Sequence, residues 1–268
     1  MGLLERMKEK LSNMTRRSSE EERQRAEIRR EMLAVGSYRV PANVSHIKWS
    51  KEEREQIETL AGQYNIMLDT LKAYKISLEG MPTWELVLAE LAPEVLKRVR
   101  KLEEPALVIV PPVSRQTMVE AIDAHKVPGQ KHETTNYKFG NDDLWSGGKP
   151  EATDAWEVAI VTGVRDVKAD EAIRGTNYQR AKAWVKKYEG QGVDVINDAR
   201  TYLALMMCSL QAGKPIDKEN WTALNAKNLT ESSLVAFGFW NLDRVFLNFA
   251  GPAVGYLFLR WRGSVRVM

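Results

Sequence analysis

Few residues in this 268-residue chain have the type and spacing of a reaction centre. It holds one cysteine, Cys208, and three histidines, His46, His125 and His132. That excludes a disulfide framework and a multi-cysteine zinc site, and leaves little for a histidine-rich metal centre. Cys208 lies inside the apolar run DARTYLALMMCSLQAG (198–213), where a thiol reads as a small core residue rather than a nucleophile. Asn141, Asp142 and Asp143 form one group of oxygen-bearing side chains, and Asp194 with Asp198 another; turn and helix-cap roles account for both. No GxGxxG, Walker A, G-x-S-x-G or H-E-x-x-H pattern occurs. An enzyme built around His132 and Asp142 would lack an identifiable acid–base pair, so no catalytic residue, metal or cofactor is assigned and a non-enzymatic protein is expected. Arg260, Arg262 and Arg266 alternate as they would along one face of a strand, and pairing with carboxylates of the same domain is expected.

The elements that must position these residues follow from periodicity and caps. Residues 1–34 are charged and rich in helix formers, with Ser18 or Ser19 able to cap a helix whose first turn carries Glu20, Glu21 and Glu22. Such helices suit a solvated face, or a docking or self-association surface. Gly36 and Pro41 break the pattern. Ser50 and Glu53 form a capping box for a helix through KEEREQIETLAGQY, and a second helical segment is expected from Ile66 to Leu78. A further helical stretch begins after Pro82 and is split or kinked by Pro93. ALVIVPP and WEVAIVTGV read as strands. Helices are expected at 114–126, 176–188 and 198–213, with a long polar loop at 127–153. Helices first, then strands and helices mixed, make an α+β pattern with an irregular, mostly antiparallel sheet. The expected division is a helical unit, 1–103, followed by a second domain, 104–268.

Composition bounds the class. With 39 basic and 36 acidic side chains the net charge is +3, which gives no warrant for nucleic-acid binding across the surface. No apolar run approaches the ~18–20 residues of a membrane-spanning helix, and the charged start MGLLERMKEK has no secretory core. A cytoplasmic, reducing setting is expected.

The tail from Ser232 to Met268, SSLVAFGFWNLDRVFLNFAGPAVGYLFLRWRGSVRVM, differs from everything before it. It contains Phe237, Phe239, Phe246, Phe249 and Phe258, leaving one phenylalanine for the rest of the chain. Lys, Glu, Gln and Met together make 62 of 268 residues, yet between Asn241 and Arg260 there are none, nor any Trp. A random stretch of that length would hold about five, and the depletion of Lys and Glu in apolar strands covers only part of the deficit. A codon rule covers it more fully. Randomising the adenines of AAC or AAT leaves a pyrimidine third base, which can never encode Met, Trp, Lys, Gln or Glu.

The framework R-V-x-L-x-x-x-x-P-x-x-x-x-x-x-L-R-x-R-x-S-V-R-V resembles the C-terminal variable region of diversity-generating retroelement target proteins. In that family an error-prone reverse transcriptase rewrites the end of the gene at template adenines. The resemblance implies fixed positions at Arg244, Val245, Leu247, Pro252, Leu259, Arg260, Arg262, Ser264, Val265, Arg266 and Val267. Positions matching template asparagines are Phe246, Asn248, Ala250, Gly251, Val254, Tyr256 and Phe258, and each of these residues is reachable from AAC or AAT. Phe249, Ala253 and Gly255 lie among them; Phe239, Asn241, Leu242 and Asp243 belong to the same set, and Trp261 closes a variable region spanning about 237–261. The match covers about 35 residues, with a weaker echo from Trp156 to Leu224, and does not reach the first hundred. It implies a C-type-lectin-like fold over 104–268, related to formylglycine-generating enzymes, whose cysteine chemistry a lone Cys208 does not supply. It further implies a ligand-binding protein that presents exchangeable side chains to an unknown protein or other macromolecule. Asn241 and Asp243 resemble the calcium stretch of animal lectins, but two ligands fall short of the 6–8 oxygens calcium takes. The competing reading is a structural or assembly protein of phage or surface-array type whose aromatic tail is a subunit interface.

Overall fold

The Ser50–Glu53 capping box closes in both directions: the Ser50 hydroxyl accepts from the Glu53 amide, and the Glu53 carboxylate accepts from the Ser50 amide. These bonds open the first helix of a computed structural model that describes residues 49–125, 135–136, 154–168, 170, 173–225, 227, 234–241, 244–251 and 253–268. The expected helix at 1–34 lies outside the described residues, as does most of loop 127–153. Helix α1, Lys51–Ala73, is continuous. The expected break before Ile66 does not occur: no Pro interrupts the helix, and Gly62 is carried on an open position while the apolar repeat Leu60, Tyr64, Met67, Leu71 faces the core. The helix ends where Lys75 turns left-handed, with φ of 57°. Trp84–Glu90 (α2) and Pro93–Val99 (α3) are two short helices, with Pro93 in the first turn of the second.

Two sheets follow. The first joins β1 (Pro105–Val110), β3 (Glu157–Thr162), β9 (Gly263–Arg266) and β4 (Asp194–Val195) in the order β1-β3-β9-β4, with every pairing antiparallel. Leu107, Val108, Ile109 and Val110 face Ile160, Ala159, Val158 and Glu157 across the β1–β3 register. Both strands are apolar on successive residues because both faces are covered: β1 lies against α1 and against α6, Ala199–Gln211. Helix α6 carries Tyr202, Leu203, Met206, Met207 and Leu210 into the core. Helices α4 (Arg115–Ala124) and α5 (Asn177–Gly190) start on Ser114 and Thr176, whose hydroxyls accept from Thr117 and Gln179 amides.

The second sheet has the order β2-β7-β6-β5-β8, formed by Thr135–Asn136 (β2), Arg244–Ala250 (β7), Val235–Asn241 (β6), Trp221–Ala223 (β5) and Leu259–Arg260 (β8). The central β7–β6 and β6–β5 pairings are antiparallel and the outer two are parallel. The architecture is therefore α+β with mostly antiparallel sheets.

The expected boundary between residues 103 and 104 is corrected by the structure: His46–Met268 form one compact unit. The reason is visible at Gln63. Its side-chain amide donates to the Pro105 carbonyl at 2.9 Å and accepts from the Leu107 amide at 2.8 Å, so α1 completes the hydrogen bonding of edge strand β1. The helices at 51–99 are a layer of the same core. No helix among the described residues is long and apolar enough to cross a membrane.

Candidate ligand-binding face

The alternation of strands β6 and β7 sorts the tail onto two surfaces. Register pairs Gly238 with Leu247 and Trp240 with Val245, and with Ala236 these side chains point inward, all buried. Gly238 has no alternative there: a Cβ would lie 2.3 Å from the Tyr202 ring of α6. The opposite surface pairs Phe237 with Asn248 and Phe239 with Phe246.

On that outer surface the rings form one connected stack. Phe246 meets Phe239 at 4.9 Å between centroids, and Phe239 meets Trp221 at 4.9 Å. Trp221 touches Phe258 at 3.9 Å, Phe237 at 4.4 Å and Tyr256 at 5.5 Å. Phe239, Phe246, Tyr256, Phe258 and Trp221 are half-buried, each keeping some surface in solvent, while Phe237 lies covered beneath its neighbours. Offset and tilted aromatic contacts of this kind each contribute about 0.5–1.5 kcal/mol beyond area burial. The stack thus holds its own geometry while leaving an apolar surface open. Beside it, Val254 is 47% and Leu257 81% exposed, and Ala253 and Gly255 are also exposed.

The structure brings most of the expected face together. Phe239, Phe246, Asn248, Gly251, Ala253, Val254, Gly255, Tyr256 and Phe258 all keep solvent access. Phe249 is half-buried too, but its alternation places it on the opposite surface from Phe246 and Asn248. Asn241 ends β6, and Leu242 and Asp243 lie outside the described residues. Two members are corrected. Ala250 is buried, since its partner Val235 sits at the covered end of the hairpin. Trp261 is fully buried beneath α5, stacked on Trp184 at 6.0 Å with the Arg180 guanidinium over its ring. An indole at 261 is framework.

The three tail arginines do not share one face. Arg262 is fully buried and ion-pairs with buried Asp217; it also donates to Thr162 O, Val164 O, Arg165 O and Thr222 Oγ1. One guanidinium therefore stitches strand β3 of the first sheet to β5 of the second. Arg266 reaches out to Glu157, which also binds buried Arg200. Arg260 turns back onto the Leu257 and Leu259 carbonyls instead of a carboxylate. The alternation expected for one strand fails because the chain changes sheet between Arg260 and Gly263.

Sequence reasoning overlooked Trp221, Leu257, Asn177 and Arg180. A lone Trp in KENWTAL carries no periodic signal, and the two polar residues look like an ordinary helix start.

Among the described residues no group of three or more His, Cys, Asp and Glu side chains could hold a metal ion. His125 packs its ring, tilted by 41°, against Tyr74 at 4.2 Å between centroids and meets Gln211 Oε1 through Nε2. Burial pushes the Cys208 thiol up, against a smaller opposing hydrogen bond with Thr70. Two open clefts lie beside Lys101, Asp170 and Lys187, and beside Arg98, Asp194 and Arg266.

Comparison with protein-family models, with curated proteins and with solved structures gave no match to this chain.

Proposed function

We propose that this protein is a non-enzymatic binding protein whose outer tail face is diversified by a retroelement on a lectin-like scaffold. One observation carries the reading: the tail's side chains segregate by role. Among positions the resemblance assigns to the framework, Val245, Leu247, Leu259, Arg260, Arg262, Ser264 and Val265 are buried, while Arg266 and Val267 at the chain end are not. Among positions matching template asparagines, Phe246, Asn248, Gly251, Val254, Tyr256 and Phe258 keep solvent access, with Ala250 the exception. A face built of aromatics, Asn and small residues resembles a paratope: rings supply contact area at low entropy cost, and Asn and Gly supply adaptable polarity. Binding would run through shape and aromatic burial, with Phe246, Tyr256 and Phe258 as anchors.

The test is in the surrounding DNA. A near-copy of the gene's 3′ end, differing only at adenines and lying beside a reverse-transcriptase gene, is the expected result; fixed codons at 246, 254, 256 and 258 across many isolates would overturn the diversification. The exposure of Val254 and Leu257 also suits a structural or assembly protein. Self-association that rises with concentration and disappears in Val254→Asp and Leu257→Asp marks that second reading.

A further inference from the structure

The loop between β7 and β8 leans its Tyr256 and Phe258 rings on Trp221, but among the described residues none of its side chains makes a hydrogen bond; its carbonyls at 251, 254, 256, 257 and 258 are all bonded. Asn177, fully buried at the start of α5, makes three bonds to it. Its Nδ2 donates to Gly251 O at 3.0 Å, its Oδ1 accepts from the Tyr256 amide at 3.1 Å, and its own amide donates to Val254 O at 2.9 Å. Arg180, one turn further along and also buried, donates to Tyr256 O and, at 2.7 Å, to Leu259 O. Arg260 donates to Leu257 O, and the Trp221 amide takes Phe258 O. Burial, then the nearby Arg260 charge, pulls the Arg180 guanidinium below its ordinary value, and carbonyl dipoles rather than a carboxylate receive it.

These partners read backbone atoms alone, which every residue carries except proline, whose missing N–H would break the bond at 256. The side chains of Ala253, Val254, Tyr256, Leu257 and Phe258 are exposed or half-buried and take no part in the bonds. Gly255 is different: a Cβ would approach Gly175 O to 2.9 Å. We infer that Asn177 and Arg180 are a main-chain clamp that fixes this loop whatever its side chains are, making 253, 254, 256, 257 and 258 specificity-determining positions and 255 an obligatory glycine. The specificity role rests on the binding reading above; the clamp does not.

Amide hydrogen exchange on the full chain tests it without a ligand. Val254→Asp, Tyr256→Asn and Phe258→Asn should each leave the Tyr256 amide as protected as in the parent. Asn177→Ala should speed exchange of that amide by roughly tenfold, the ratio set by one buried hydrogen bond, while amides of β1 and β3 stay unchanged. Because the alanine variant can fail to fold, Asn177→Asp is the companion. It keeps an acceptor for the Tyr256 amide and puts a favoured acid in the first helical turn, but it faces the Gly251 carbonyl with a second acceptor. It should loosen the Gly251 side of the loop while the Tyr256 amide stays protected. Gly255→Ala should accelerate exchange across 253–258. Loss of Tyr256 protection in the three side-chain variants, or unchanged protection in Asn177→Ala, would overturn the clamp. Genes without a mutagenic template would overturn diversification and leave the clamp standing.

Discussion

Two stretches of the tail, adjacent in sequence, have opposite relations to the core. From Leu259 to Val265 every side chain is buried, and the chain crosses from one sheet to the other through Trp261 and Arg262. From Gly251 to Phe258 no described side chain is buried, and the hydrogen bonds that hold the segment go to its main chain, with the Tyr256 and Phe258 rings resting on Trp221. A surface tolerates replacement where its backbone is fixed by groups outside it, and resists replacement where its side chains are themselves the packing.

The sharpest break in that comparison is Arg262→Met. It strands the Asp217 carboxylate, and removing one partner of a buried pair costs about 3–5 kcal/mol. Urea denaturation should show that loss; a cost near zero would mean the two sheets are not joined through Arg262. The double variant Arg262→Met/Asp217→Asn should lose less than the two singles combined.

Alkaline titration reads the same buried framework. Tyr188 donates to the Trp261 carbonyl, and burial raises its phenol to about 12, with Arg262 opposing the rise. A raised folded value means the unfolded chain releases the proton first. The associated stability, on the order of 2 kcal/mol, is present below about pH 10 and is lost as pH rises toward 12. Tyrosinate absorbance followed alongside circular dichroism should show ionisation and unfolding together.

Gly238→Ala comes next. Its added carbon meets the Tyr202 ring, so a cost of about 1–3 kcal/mol is expected by chemical denaturation, reduced in a Tyr202→Leu background. Smaller effects belong to the outer face. Phe246→Asn, Tyr256→Asn and Phe258→Asn should each cost about 0.5–1.5 kcal/mol and keep a single cooperative melt. The last pair, Val254→Asp and Leu257→Asp, should change stability by no more than about 0.5 kcal/mol. If these exposed substitutions matched Arg262→Met in cost, the distinction between the two stretches would fail.

Much of this was legible in local sequence. The Ser50–Glu53 box, the helices opening at 114 and 176, the split at Pro93, the strands at 105–110 and 157–162, and the buried helix at 199–211 all carry short-range signals. The candidate face was partly legible through a different signal, the framework resemblance and the missing Lys, Glu, Gln, Met and Trp, and not through strand alternation. That signal does not say which side chains are covered, and Ala250 and Trp261 were misplaced accordingly. The contiguity of helices and sheets was illegible because Gln63 meets β1 across more than forty residues of chain.

By itself the sequence determined the caps, the strand periods and the biased composition of residues 241–260, since these depend on neighbours a few positions away. Tertiary structure alone decided that Arg262 faces Asp217, that Trp221 sits at the centre of the aromatic stack, and that Asn177 and Arg180 hold a loop more than seventy residues downstream. The physical reason is the same in each case. Burial of a charge or capture of a carbonyl depends on which distant segment arrives opposite it, and no local pattern encodes that arrival.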